Sequence, residues 1–563
     1  MGVLKWWQKT IIYQIYPKSF CDSNGDGIGD IPGIISKLDY LQNLGVGAIW
    51  LCPIYPSPLV DSGYDISDYC AIAPEYGTMA DMENLISEAG KRNIKIVMDL
   101  VFNHTSDKHQ WFEESRSSKD NTKRSWYIWR DGKPDGSAPT NWRGIFGGPA
   151  WTLDEKTGQY YLHTFTAGQP DLNWENPQVR QALYDVCRFW LDKGIGGFRI
   201  DAIVYIKKPA VFEDLPADGP DGLASVVKAD SCQEGILDFL YEWKREVFAK
   251  YPDIFTVAET DGITAKDFSK WIGKNGAFDM LFDFSHMILG FDGDFSWHKR
   301  KPWKLIDIRA PFTANQEATK EDGWVANYFE NHDHPRCVNY FFPKGTDTEL
   351  AAKFIATILL TLRGTPFIYE GQELGMTNVK WPSIKMYKDV SSIGQYKLAL
   401  KDGLLPKEAM KGIWENSRDN ARSPMTWNNG SHAGFTTGRP WLPLNDKYGS
   451  INVESELQDE KSVLNYYKAV IKLRNEHKAL IEGDYEELLS YSPGIYAYAR
   501  TAKDKSERIV VIANTTAKIR GYKVPEIKGA QLLISNYGNR EKTLLRSYEV
   551  RVYAAPTAIH TDG

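Results

Sequence analysis

Short apolar runs alternate with longer amphipathic stretches over most of the chain, from about residue 10 to 480. The runs are rich in β-branched and aromatic residues. They predict strands over Ile11–Tyr16, Val46–Leu51, Ile94–Leu100, Gly197–Asp201, Phe255–Glu259, Phe278–Phe284, Val325–Glu330 and Pro366–Glu370. Between most of them apolar residues recur at helical spacing. Met79–Lys91 is one such helix, and Pro177–Asp192 is another, stopping before Gly194. Eight strand–helix units in series predict an α/β fold, a parallel sheet closed into a (β/α)8 TIM barrel.

One interval breaks this rhythm. Nearly a hundred residues separate Leu100 from Gly197, far more than a crossover needs. The middle of it, Thr105 to Leu172, is rich in Trp, Tyr, Gly, Ser and Asp, and predicts a small domain inserted after strand 3. A second excursion, about Thr377 to Leu444, follows strand 8. After a helix around Val463–Lys478 the pattern turns to short alternating strands such as Gly494–Arg500 and Arg508–Ala513. The expected division is a barrel from 1–104 and 173–484, an inserted domain over 105–172, and a C-terminal antiparallel β-sandwich over 485–563. The sequence has no internal repeat and no low-complexity stretch.

A chain of 563 residues is expected to divide into two or three domains. A net charge of −6 gives no polyanion-binding signal, so nucleic acid is not an expected partner. No run of about 18 apolar residues is present, so no membrane span is expected. Met1 to Thr10 lacks the apolar core of a secretory signal. The six cysteines are scattered without a CxxC pair, as in reduced cytoplasmic enzymes. A cytoplasmic monomer acting on a small substrate is the expectation. The 19 Trp and 30 Tyr supply core anchors, and also flat rings on which sugars stack.

Chemistry concentrates at three strand ends. Gly197-Phe198-Arg199-Ile200-Asp201, Thr256-Val257-Ala258-Glu259 and Glu330-Asn331-His332-Asp333-His334-Pro335-Arg336 each carry an acid after a buried run. A barrel gathers such acids at its C-terminal rim, and a pair of carboxylates suits cleavage of a glycosidic bond.

These segments, with Asp99-Leu100-Val101-Phe102-Asn103-His104 before them, resemble the four motif regions of glycoside hydrolase family 13, the α-amylase family. Asp61-Ser62-Gly63-Tyr64-Asp65-Ile66-Ser67-Asp68-Tyr69 and Arg418-Asp419-Asn420-Ala421-Arg422-Ser423-Pro424-Met425 resemble its oligo-1,6-glucosidase and α-glucosidase branch. The resemblance covers nearly the whole chain. It implies Asp201 as nucleophile, Glu259 as general acid/base and Asp333 as the third acid, gripping sugar hydroxyls. Arg199 lies two residues before Asp201, on the same side of the strand, and is expected to keep that carboxylate ionised. By the same resemblance His104 and His332 bond the terminal glucose and Tyr64 stacks on it. Asp61 and Arg418 close the inner end of the pocket, and Phe165 and Gln169 line it. The loop Asp22-Ser23-Asn24-Gly25-Asp26-Gly27-Ile28-Gly29-Asp30 puts oxygen donors at alternate positions, with Gly33 where an EF-hand has its Glu. It resembles the branch's single Ca²⁺ or Mg²⁺ site, with Asp22, Asn24, Asp26, Asp30 and the Ile28 carbonyl as ligands.

The expected activity is a retaining exo-α-glucosidase acting on short α-glucosides, isomalto-oligosaccharides first. The alternatives are an α-1,4 maltase, a sucrose-hydrolysing glucosidase, a sucrose isomerase, a trehalose-6-phosphate hydrolase, and a catalytically silent scaffold or carbohydrate-binding protein. Two departures bear on this choice. Ala202 follows the nucleophile where the branch has Val for α-1,6 or Thr for α-1,4 preference. In addition, Leu289-Gly290-Phe291-Asp292-Gly293-Asp294 stands where sucrose isomerases carry an Arg-rich segment.

Overall fold

A computed structural model describes residues 4–219, 221–291, 296–538 and 543–556. Eight parallel strands close into a barrel: β1 (Ile12–Ile15), β2 (Ala48–Leu51), β3 (Lys95–Val101), β4 (Gly197–Asp201), β5 (Phe255–Glu259), β6 (Met280–Phe282), β7 (Val325–Asn327) and β8 (Thr365–Tyr369). Neighbours in the barrel are neighbours in sequence, and β8 pairs with β1, Ile12 opposite Phe367. β4 and β5 match the sequence expectation residue for residue, as do the helices Met79–Lys91 and Pro177–Asp192. β6 and β7 are shorter than expected. Asp279 and Asp283 flank β6 and turn their carboxylates to Thr256 and Ser285. Beyond β7, Glu330 folds the chain back by accepting from the Cys337 amide at 2.6 Å and from Arg336 at 3.0 Å. A carboxylate used this way ends a strand, because it bonds a distant amide and not a neighbouring ladder.

Apolar side chains inside and around the barrel form one continuous core that reaches Tyr496, Tyr498 and Val552 of the C-terminal region. That region holds a five-stranded antiparallel sheet and a two-stranded one, with Leu545 of the small sheet packed into the same cluster as Ile495, Val510 and Ile512. The segment after β3 carries its own three-stranded sheet, Trp129–Arg130, Gln159–Leu162 and Trp151–Asp154. It is not an isolated excursion. Trp142–Arg143 pairs in parallel with Ala224–Ser225 from the loop after β4, so two crossovers are sewn together above the rim. None of the six cysteines is disulfide-bonded. No helix among the described residues is long and apolar enough to cross a membrane.

Candidate active site

Arg199 sits near the C-terminal end of β4, fully buried, and touches three acids. Its Nη1 lies 2.9 Å from Asp99 Oδ1 on β3 and 2.6 Å from Asp201 Oδ1, while its Nη2 lies 3.0 Å from Glu259 Oε2 on β5. The parallel register makes this possible: Asp99 lies opposite Arg199, and Val257 pairs with Arg199 from the other side. Period-two alternation then brings Asp201 and Glu259 to the same rim. Glu259 Oε2 also accepts the Ala202 amide at 2.9 Å. Ala202 itself lies in the left-handed region, with φ 46°, which costs a residue bearing a Cβ about 1–2 kcal/mol. Strain of this kind concentrates at functional sites.

At Asp201 several influences compete, and Arg199 is the one that favours the ionised form. Burial pushes the Asp201 carboxyl well above the ordinary range, Arg199 pulls it down, and Glu259 and Asp99 push it up again. Asp99 rises to about 6, again through burial, with Arg199 opposing. Three carboxyls share one guanidinium, so the empty cluster favours a retained proton.

A second ion cluster lies across the cavity. Arg418 donates through Nη2 to Asp61 at 2.9 Å, through Nη1 to Asp333 at 3.1 Å and through Nε to the buried Asp389 at 2.7 Å. Arg422 donates to Asp333 at 3.0 Å. Burial pushes the Asp333 carboxyl up, but its cationic neighbours outweigh burial and hold it far below the usual carboxylate range. His332, 3.0 Å from Asp333, is itself driven towards neutrality by burial, so the standing counter-charges are the two guanidiniums. His332 is fixed by Gln14 at 2.8 Å and by the ring of Tyr64, stacked at 5.1 Å and 11°.

Between the clusters opens a cavity of about 1030 Å³, lined by Asp61, Tyr64, His104, Phe165, Asp201, Glu259, Asp333 and Arg418 among others. The chain matches the alpha-amylase catalytic domain over residues 14–483. It is 47% identical to the oligo-1,6-glucosidase of Parageobacillus thermoglucosidasius over 558 residues, 97% of this chain and 98% of that protein. Among solved structures, Bacillus licheniformis trehalose-6-phosphate hydrolase superposes with a TM-score of 0.90 at 42% identity, covering 98% of this chain and all of that one. Isomaltulose synthase from Protaminobacter rubrum superposes with a TM-score of 0.91 at 40% identity, covering 99% and 100%. This chain belongs to the alpha-amylase family.

As a member of that family it places most of the expected site residues together around the cavity. Gln169 does not line the cavity. It sits behind it, fully buried, donating to Asp61 at 3.2 Å and lying 3.1 Å from His104 Nε2, so it positions those two side chains. Arg199 and His332 likewise act from behind the wall. Tyr64 lines the cavity, but one ring face is already taken by His332, and its hydroxyl donates to Asp99 at 3.0 Å. Asp292 to Asp294 lie outside the described residues.

The sequence reading missed Asp389, Arg422 and Lys208. Buried Lys208 lies 2.7 Å from Asp171 and 2.8 Å from Asp230, and donates to the Tyr205 carbonyl at 2.7 Å and to Asn103 at 3.2 Å. It thereby ties the loops after β3 and β4 to the inserted segment. It also missed Arg143, which meets Asp221 at 2.9 Å and Asp218 at the cavity mouth. The loop Asp22 to Asp30 is closed by its own amides: Asp22 accepts from Asn24, Gly25 and Gly27, Asn24 from Asp26, and Asp26 from Ile28. Asp30 accepts from Ser23 and caps the next helix through Gly33. Among the described residues no group of three or more His, Cys, Asp or Glu is arranged to hold a metal.

Arg418 is the residue whose loss should be felt most broadly. Burial raises the Asp389 carboxyl, but Arg418 and Arg422 bring it below its ordinary value, as they do for Asp333. Depressed carboxylates stabilise the fold above their unfolded pKa, and that stability is lost as pH falls through the folded value. Arg418→Met should cost about 3–5 kcal/mol at pH 7, since it strands buried charge. It should also lower kcat/KM at least a hundredfold. The melting-temperature gap to wild type should narrow as pH falls towards 3. Equal melting temperatures at pH 7 would contradict the assignment.

Proposed function

We propose that this chain is a retaining exo-α-glucosidase that releases glucose from the non-reducing end of short α-glucosides, isomalto-oligosaccharides first. One observation carries the reading. The Asp61–Arg418–Asp333 ion cluster lines the same cavity as the Asp201–Glu259 pair, and on this reading it closes one end, leaving room for a terminal sugar and not for a passing chain. The similarity to oligo-1,6-glucosidases over nearly the whole length supports the same reading.

In this mechanism Asp201 Oδ attacks the anomeric carbon as Glu259 delivers its proton to the leaving glycosidic oxygen. The bond to that oxygen breaks and a glucosyl ester forms at Asp201. Glu259, now a carboxylate, takes a proton from water. The hydroxide so generated attacks the anomeric carbon, the ester breaks, and glucose leaves with its α configuration retained. Three acids against one guanidinium leave the cluster two charges negative when all are ionised. That surplus, a drawback in the empty site, opposes the positive charge that builds on the sugar ring in the transition state. Asp333, held ionised by Arg418 and Arg422, accepts hydrogen bonds from the sugar hydroxyls.

The left-handed backbone at Ala202 bears on linkage choice. A β-branched residue there would be more strained than Ala. The missing methyl groups also leave the leaving-group side less shaped, so a broad preference is the reading for this chain. Incubation with isomaltose, maltose, sucrose and trehalose 6-phosphate side by side tests it. Isomaltose should give the highest kcat/KM, with glucose as the sole early product and weaker activity on maltose or sucrose. Maltotriose or larger fragments appearing early from amylose would refute the closed end. Isomaltulose as the main product from sucrose would make the chain an isomerase.

We further propose that the loop from Asp22 to Asp30 holds one structural Ca²⁺ or Mg²⁺ through Asp22, Asn24, Asp26, Asp30 and the Ile28 carbonyl. The donor set is all oxygen; Asn24, Asp26 and Asp30 each offer an oxygen that accepts one amide and keeps a second lone pair, whereas both Asp22 oxygens already accept two donors, which a cation would have to displace in part. The loop precedes the first long barrel helix, away from Asp201 and Glu259, so its role is stability. Chelation should lower the melting temperature and leave initial rates at low temperature unchanged. Elemental analysis showing no divalent cation in protein purified without chelator would remove the site.

A further inference from the structure

Arg418 meets a third acid that the mechanism above does not use. Asp389 is fully buried behind the cavity wall, whereas Asp61 and Asp333 both line the cavity. It holds the guanidinium from the rear, accepting from Nε at 2.7 Å, while Nη2 and Nη1 reach forward to Asp61 at 2.9 Å and to Asp333 at 3.1 Å. The rear bond is the shortest of the three. Phe146 also covers the guanidinium, at 5.0 Å, but a ring face does not fix how a planar group turns within its plane. A directional bond at Nε does.

Asp389 is itself immobilised. Its Oδ1 also accepts the Ser391 amide at 3.0 Å, and its Oδ2 accepts the Ser392 amide at 3.0 Å and the Ser392 hydroxyl at 2.5 Å. The two amide bonds cap the helix Val390–Lys401. Ser392 Oγ lies 2.7 Å from the hydroxyl of Ser417, the residue before Arg418. Asp419, the residue after it, accepts the Asp389 amide at 3.1 Å. The chain on both sides of Arg418 is thus tied to the segment that holds Asp389. Capping accounts for the two amides, but not for the bond to Nε.

We propose that Asp389 is a positioning residue that aims the Nη fork of Arg418 at Asp61 and Asp333. It thereby sets the grip on the terminal sugar without touching it. The proposal rests on the glucosidase reading and adds what orients the end of the cavity that this reading closes.

The cap and the aim can be separated by experiment. Asn and Ser start helices about as well as Asp, but neither carries a charge. Either substitution leaves Arg418 and Arg422 beside Asp61 and Asp333, two cations with two carboxylates, so no buried charge is stranded. Asp389→Asn should keep the wild-type melting temperature within a few degrees and lower kcat/KM about 10–100-fold, the range of one hydrogen bond to a charged group. The loss should be the same on isomaltose and on p-nitrophenyl α-glucoside, because both place the same glucose at the closed end. Asp389→Ser should reproduce it. In an Arg418→Met background, Asp389→Asn should cost no more than about a further twofold, since the residue it works through is gone. Losses that simply multiply in the double variant would reduce Asp389 to a helix cap. A loss below about twofold in the single variant would remove it from positioning. A crystal structure of the Asp389→Asn protein reads the aim without any activity: Arg418 should turn away from Asp61 or Asp333, and unchanged bonds to both would overturn the proposal. Failure of the underlying reading looks different, because the wild type would then release glucose from neither substrate.

Discussion

A single guanidinium, walled in at the end of β4, sets the terms for the rest of this active site. Arg199 bonds acids from three adjacent strands, and the barrel register is what delivers them. Removing it would leave three buried carboxyls without a common counter-charge. Yet it does not neutralise them. Burying such a cluster is costly, and a fold selected for stability alone would gain by replacing it with apolar side chains. The arrangement makes sense when positive charge arrives with the reacting sugar. The opposing cluster around Arg418 follows the reverse logic, with two guanidiniums holding Asp333 ionised whatever the state of the site. One pole sets three acids against a single guanidinium and the other three acids against two, and the cavity lies between them.

Much of this supports itself from behind. Gln169, His332, Gln14 and Lys208 hold the residues that face the sugar, and each is bonded to at least one of them or to the loops that carry them. The sewing of Trp142–Arg143 to Ala224–Ser225 gives the long segments after β3 and β4 a shared backbone ladder at the cavity mouth. Ala202, whose amide bonds Glu259, carries left-handed strain just beyond the end of β4. Local cost at these points is outweighed by packing over the continuous core that runs from the barrel into the C-terminal sheets.

The barrel was legible because its strands are buried on all sides and read as unbroken apolar runs, each ending in an acid or a turn. The two strands that end in Asp201 and Glu259 matched their expected bounds. The strands most shortened against expectation, β6 and β7, are flanked by Asp279, Asp283 and Glu330, whose carboxylates bond amides and hydroxyls elsewhere, a use that local periodicity does not reveal. Asp201, Glu259, Asp333, Asp61 and Arg418 were legible as motif positions, and the structure brings them around one cavity. Asp389 was not, because an acid at the start of a helix looks like a cap, and it does accept from Ser391 and Ser392 as one. Its second partner, Arg418, is 29 residues away in sequence. Gln169 was assigned to the pocket wall by resemblance, which places a residue near a site without saying whether it faces inward. Arg199 beside Asp201 is visible in sequence, whereas Asp99 and Glu259, which share that guanidinium, are not.

The central claim is that Asp201, the carboxyl nearest that guanidinium, becomes covalently bonded to glucose. Incubating the enzyme with a 5-fluoro-α-glucosyl fluoride, which slows breakdown of the ester, and mapping the adduct by peptide mass spectrometry tests this most directly. The account predicts one fluoroglucosyl group per chain, on the peptide containing Asp201 and on no other. An adduct on Glu259 or Asp333, or rapid turnover that yields inverted glucose without any adduct, would contradict it.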